Sequence, residues 1–228
     1  TFKSNPPYIG QTENYVGSYR RTFDLPADWR GSDVFFHVGS ATSNLTLWVN
    51  GRYVGYSEDS KVAAEFNITK YLKPGRNLIA MQVMRWCDGS YLEDQDFWRF
   101  TGIAREVYLY ARPKTRIADI NFTQDLVNGM RDGRLDFNIP VVNAKGAELS
   151  VVLRDADGRE VGSAHGSAAK GAFSGSITVA GAKAWSAETP YLYSLGVVLK
   201  RGGSVIEAVE QKVGFRHIEI SGGQLLVN

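Results

Sequence analysis

The chain is poor in cysteine, in histidine and in long apolar runs, and each shortage closes off a class of function. A single cysteine, Cys87, among 228 residues excludes an internal disulfide framework and a cysteine-built metal cluster. No apolar stretch approaches the ~18 residues of a membrane-spanning helix, so a membrane is not expected as a partner. Charge of neither sign dominates, with 26 basic against 24 acidic residues. No basic block or aromatic-interleaved Arg stripe is present to track phosphates, and nucleic acid is not expected as a partner either. His37, His165 and His217 stand far apart, without the spacing of metal ligands or of a nucleophile triad.

What is present is a long series of short β patterns. Residues 18–23, 34–38, 44–49, 77–84 and 104–110 are apolar runs or alternations rich in β-branched and aromatic residues, which predicts strands. Turn signals separate them, the sharpest being Asn50-Gly51, where two residues at ease with positive φ predict a tight hairpin. Only 67–72 reads as helical, for one turn at most. Arg112-Pro113-Lys114-Thr115 is the best domain boundary, because proline ends the strand before it. A second series follows at 117–122, 133–142, 149–154, 175–179, 193–200 and 205–213, with turns at Asp155–Gly158 and Arg201–Gly203, and it suits an immunoglobulin-like sandwich. The Gly-, Ala- and Ser-rich stretch 162–176 reads as a polar edge or a loose loop. The absence of an initiator Met at Thr1, and an apolar strand running out at Asn228, make both ends look cut from a longer chain.

Residues 85–99, Arg-Trp-Cys-Asp-Gly-Ser-Tyr-Leu-Glu-Asp-Gln-Asp-Phe-Trp-Arg, hold the densest concentration of polar and aromatic groups. Three carboxylates (Glu93, Asp94, Asp96) beside two indoles (Trp86, Trp98) offer hydroxyl acceptors next to flat apolar faces, the chemistry a pyranose needs. The competing reading of Trp48, Tyr53, Tyr56, Trp86, Tyr91 and Trp98 as core or interdomain packing is the one expected from aromatics at strand positions. Cys87 reads as a small buried hydrophobe. The Asn-X-Ser/Thr sites at Asn44, Asn67 and Asn121 read as chance.

Four stretches carry a resemblance: 48–56 (Trp-Val-Asn-Gly-Arg-Tyr-Val-Gly-Tyr), 85–102, 184–193 (Ala-Trp-Ser-Ala-Glu-Thr-Pro-Tyr-Leu-Tyr) and 213–216 (Val-Gly-Phe-Arg). Together they resemble the N-terminal half of a bacterial β-galactosidase of glycoside hydrolase family 2, with 88–99 particular to the galactosidase branch. The resemblance implies an all-β chain: a jelly-roll, galactose-binding-like sandwich over 1–112, an immunoglobulin-like β-sandwich over 113–218, and over 219–228 the start of a lead-in to a missing catalytic barrel. It implies a retaining enzyme that removes terminal β-D-galactose from galactosides such as lactose. The catalytic glutamates belong to the barrel, so no catalytic residue and no hydrolysis are expected of this segment. It also implies that Asp96 leans into the barrel mouth to hold a galactose hydroxyl and sodium, in a cation site incomplete without the barrel; the bland alternative is a surface carboxylate paired with Arg99 or Arg105. Glu58 and Asp88 are candidate ligands of magnesium, although neither metal is expected to be held firmly by the segment alone. Trp185 and Phe215 are expected to lock the second domain, and Arg216 to make a domain-interface ion pair. The expected partners are a galactoside, the chain's own barrel and further copies in a homo-oligomer. The bacterial cytoplasm and periplasm stay equally open. The alternative function is a free-standing carbohydrate-binding module without hydrolysis.

Overall fold

A computed structural model describes residues 5–10, 12–93, 95–96 and 98–228; Asp94, singled out above, lies outside the described residues. The chain divides into two compact units, Thr1–Pro113 and Lys114–Asn228. The first is built from β1 Val16–Asp24, β2 Asp33–Val38, β3 Ala41–Thr42, β4 Leu45–Val49, β5 Arg52–Ser57, β6 Ala64–Asn67, β7 Arg76–Met84, β8 Gly102–Ile103 and β9 Val107–Arg112. One sheet has the order β1-β7-β4-β5, a second the order β6-β2-β9, and β3 pairs with β8. The sandwich follows from period-2 alternation. In β4, Leu45, Leu47 and Val49 are buried while Thr46 and Trp48 face outward, and Leu47 and Val49 stand opposite Met81 and Ile79 of β7. Val34, Phe36 and Val38 of β2 supply the other wall of the same core. Full burial of each such side chain contributes roughly 1.5–3 kcal/mol. The result is the jelly-roll sandwich.

The predicted hairpin is present: Asn50 and Gly51 have φ of 50° and 78°, the primed turn that matches strand twist. Asn50 does more than turn the chain. Its Nδ2 donates to the carbonyl of Tyr71 at 2.9 Å and to Oδ1 of Asn77 at 2.8 Å, and its Oδ1 accepts from the backbone N–H of Leu78 at 3.0 Å. The one-turn helical reading near 67–72 corresponds to a 3-10 turn at Thr69–Tyr71. The strand expected at 104–110 begins later, at Val107, because the preceding Gly102–Ile103 pairs separately with β3.

The second unit comprises β10 Arg116–Ile117, β11 Asn121–Val127, β12 Asp132–Val142, β13 Ala147–Arg154, β14 Glu160–Ser167, β15 Ala172–Val179, β16 Tyr193–Arg201, β17 Ser204–Val213, β18 Ile218–Ser221 and β19 Gln224–Val227. One sheet joins β10, β11 and β15 to β12, the other has the order β14-β13-β16-β17, and their inner faces share one aliphatic core, the immunoglobulin-like sandwich. One expectation is corrected: the strand predicted over 117–122 is broken, since β10 and β11 pair with different parts of β12. Of the two readings of 162–176 the edge holds and the loose loop does not, because most of it is β14, an edge strand, and β15, paired with β12. Two of its glycines lie under aromatic rings, Gly166 under Phe173 and Gly175 under Phe137, where a Cβ on Gly175 would stand 2.7 Å from the ring.

Trp185 and Phe215 lock this unit. The indole N-terminal neighbour Ala184 bridges Phe215, the backbone N–H of Trp185 donates to the Phe215 carbonyl at 2.8 Å, and Phe215 is fully buried edge-on to Tyr193. Arg216 places its guanidinium over the Trp185 ring at 5.1 Å.

Candidate functional site

The polar-aromatic segment is held where β7 leaves its sheet. Ser43 donates its backbone N–H at 3.0 Å and its hydroxyl at 3.1 Å to the Met84 carbonyl, and Asn44 accepts from the Met84 N–H at 3.2 Å. Arg85 donates its backbone N–H to the Tyr15 carbonyl at 2.9 Å, and Asn14 brackets the backbone of Trp86 with two bonds of 2.9 Å. Beyond Trp86 the chain makes a 3-10 turn, Asp88–Tyr91, closed by the Ser90 hydroxyl accepting from the Cys87 N–H at 3.0 Å. Tyr91 in turn donates its hydroxyl to the Tyr8 carbonyl at 2.8 Å. Glu93 accepts from the backbone N–H of Ser60 at 3.2 Å. Ser60 is fully buried and donates its hydroxyl to the Ser43 carbonyl at 3.2 Å, so the loops around residues 43, 60 and 93 form one hydrogen-bonded body.

Over that body lies a cleft of about 330 Å³ lined by Arg85, Trp86, Glu93, Trp98 and Arg99, with Asp59 and Lys61 from the loop after β5. Its chemistry is that of a hydroxyl-rich ligand: aromatic faces, carboxylates that accept and cations that donate. Trp98 is 75% exposed and stacks on Phe100 at 6.3 Å. Arg85 sits over the Trp86 ring at 5.1 Å. Core packing, one of the two roles expected of these aromatics, is not what the structure shows. Tyr53, Tyr56 and Trp98 are exposed and Trp48, Trp86 and Tyr91 half-buried, because each stands on the outward phase of its strand or in a loop. Cys87, by contrast, is buried.

Asp96 is exposed and follows Gln95, a residue of the cleft lining, in sequence. Arg105, one of its two expected partners, instead donates to the Lys61 carbonyl at 3.1 Å. Glu58 and Asp88 come together with Cys87, their ligand atoms within 4.8 Å of one another. The two carboxylates suit a hard cation such as magnesium, which takes oxygen ligands. The thiol suits it poorly and is already turned toward the Ser43 carbonyl at 3.6 Å. Glu58 also accepts a hydrogen bond from the Tyr56 hydroxyl. Partial burial first, and then this bond and the Glu58 charge, raise the Tyr56 phenol well above its ordinary value. Sequence reasoning missed Asn14, Ser43, Ser60 and Lys61, which are single polar residues in loops with no pattern to mark them; topology alone gathers them.

Comparison with known proteins gives two family matches: "Glycosyl hydrolases family 2, sugar binding domain" over residues 3–113 and "Glycosyl hydrolases family 2" over 115–216. A β-galactosidase of Aeromonas hydrophila is 42% identical over 242 residues, covering 100% of this chain and 23% of that protein. One from Priestia megaterium is 40% identical over 234 residues, covering 98% and 23%. The chain thus spans about a quarter of the length of the curated relatives it matches. Among solved structures, an FMN-binding β-glucuronidase from Facaelibacterium prausnitzii superposes with a TM-score of 0.83 at 24% identity, over 94% of this chain and 35% of that one. A Ruminococcus gnavus β-glucuronidase gives 0.80 at 24% identity, over 93% and 37%.

Proposed function

Since the chain belongs to glycosyl hydrolases family 2, we propose that it forms the non-catalytic N-terminal part of a retaining β-galactosidase that removes terminal β-D-galactose from galactosides such as lactose. The observation that carries this reading is the similarity of 40% and 42% to β-galactosidases along nearly the whole chain, against 24% to the β-glucuronidases that share the fold. Retaining hydrolysis needs two carboxyl groups about 5 Å apart on opposite sides of a sugar. Glu93 is tied to Ser60 and Asp96 lies on the same loop, so neither is offered as half of such a pair. The chain's own part is to bind and orient: Asp96 accepts a galactose hydroxyl and offers one oxygen to sodium, while the barrel supplies the other ligands. Bound sodium would fix that hydroxyl by charge. Glu58 and Asp88 would hold magnesium with waters completing its shell, as a brace between the loop after β5 and the turn at Asp88–Tyr91. The second sandwich links the first to the barrel, and the whole enzyme assembles with its own copies.

The test is Asp96→Asn in the full-length enzyme, assayed with an aryl β-galactoside. Loss of a charge-assisted bond to substrate lowers kcat/KM by about ten- to a hundredfold. Unchanged turnover removes Asp96 from the pocket. A free-standing carbohydrate-binding module is the second reading, favoured by the exposed Trp98 at the cleft. Saturable galactose binding by the 228-residue chain alone, with no hydrolysis by the full-length protein, would replace the first reading with the second.

A further inference from the structure

The hairpin of β18 and β19 has two unlike faces. Residues directly opposite across an antiparallel pair share a face. The pairs Ile218↔Val227 and Ile220↔Leu225 therefore put four aliphatic side chains on one side, while Glu219↔Leu226 and Ser221↔Gln224 lie on the other. All eight residues are exposed. A two-stranded hairpin is marginal by itself in water, so the contacts it makes with its own unit bear on its order.

The described ties to the rest of the second unit gather at its open end. Asn228 donates its backbone N–H to the His217 carbonyl at 3.0 Å, accepts from the His217 N–H at 3.0 Å, and reaches the Trp185 carbonyl with Nδ2 at 2.9 Å. The His217 ring then spans two carboxylates: Nδ1 is 2.7 Å from Oδ1 of Asp125 on β11, and Nε2 is 3.8 Å from Oε2 of Glu219 on β18. Asp125 and Glu219 are the charged groups that act on the ring, and the adjacent Arg216 is turned onto Trp185.

We propose that His217 is a proton-operated latch: with both ring nitrogens protonated it bridges Asp125 of the sandwich and Glu219 of the hairpin, and on losing a proton it keeps one donor and lets the hairpin fray. The hydrogen bond to Asp125 foremost, with the two carboxylate charges, raises the imidazole above its ordinary value. The sign follows from linkage. A raised histidine stabilises the folded hairpin fully below the unfolded value near 6.5 and loses that contribution as pH climbs through the raised value. The aliphatic face is thus held in place below the unfolded value and released as pH climbs through the raised one.

Amide hydrogen exchange on the full chain tests this, with rates corrected for intrinsic base catalysis and amides of β12 and β16 as the internal reference. Between pH ~6 and ~8.5, protection of the hairpin amides should fall by about two- to fivefold, the range of a partly exposed ion pair, while the reference amides stay constant. Asp125→Asn should hold the hairpin at its high-pH protection at every pH, and Glu219→Gln should reduce the pH dependence. A flat wild-type profile overturns the proposal, and so does an Asp125→Asn profile that keeps the wild-type slope.

Discussion

At the scale of single residues, the smallest side chains decide where the sheets can approach. A Cβ on Gly133 would lie 2.8 Å from the Phe215 ring and 2.9 Å from Ala182, whereas one on Gly196 would meet only the Val152 carbonyl at 3.7 Å. Gly133→Ala should therefore cost about 1–3 kcal/mol of stability through overpacking, and Gly196→Ala should be close to neutral, with urea unfolding separating the two. Asn50 is the counterpart in the first unit. Asn50→Ala loses three hydrogen bonds and puts a less tolerant residue at positive φ, which should cost about 2–4 kcal/mol. Asn50→Gly should recover only the backbone part of that loss, and the difference measures what the side chain contributes.

At the scale of elements, the outer face of the β6-β2-β9 sheet carries a polar cluster that no strand pattern announces. Glu65 accepts from Tyr110 at 3.0 Å and pairs with His37 at 2.8 Å, and His37 stacks on Tyr108 at 4.5 Å. Burial first, and then the Glu65 hydrogen bond and charge, push the Tyr110 phenol from 10.0 up to about 12. A raised phenol stabilises the fold below its unfolded value and loses that contribution as pH rises from 10.0 toward about 12. Tyr56 and Tyr193 are raised as well, so ultraviolet difference titration should find several late-ionising tyrosines, of which Glu65→Gln brings one back toward its ordinary value. Strand phase placed these side chains outward, but their meeting depended on β6 and β9 both flanking β2. The glycine-rich stretch shows the same limit. Its strands were hidden because glycine carries no period, and they exist because β13 folds back on β14 as a hairpin and β12, far away in sequence, pairs with β15.

At the scale of the whole molecule, each unit owns a continuous buried cluster. Residues 114–228 expressed alone should accordingly unfold in one cooperative transition, seen as coincident fluorescence and far-ultraviolet circular dichroism curves. The 228-residue chain should turn over no aryl galactoside, and detectable release of galactose by it would place catalytic groups inside these sandwiches.

Sequence alone determined the β class, the turn at Asn50-Gly51, the aliphatic faces and the segment 85–99, because period-2 burial and positive-φ turns are local properties that a chain must write into its own order. Tertiary structure decided which loops meet. Ser60, Glu93, Ser43 and Asn14 build one support under the cleft from four distant positions, and Glu58 reaches Cys87 and Asp88 across thirty residues of chain on the order set by strand pairing. Hydrogen bonds between isolated polar residues carry no periodic signal, so only the fold could reveal them.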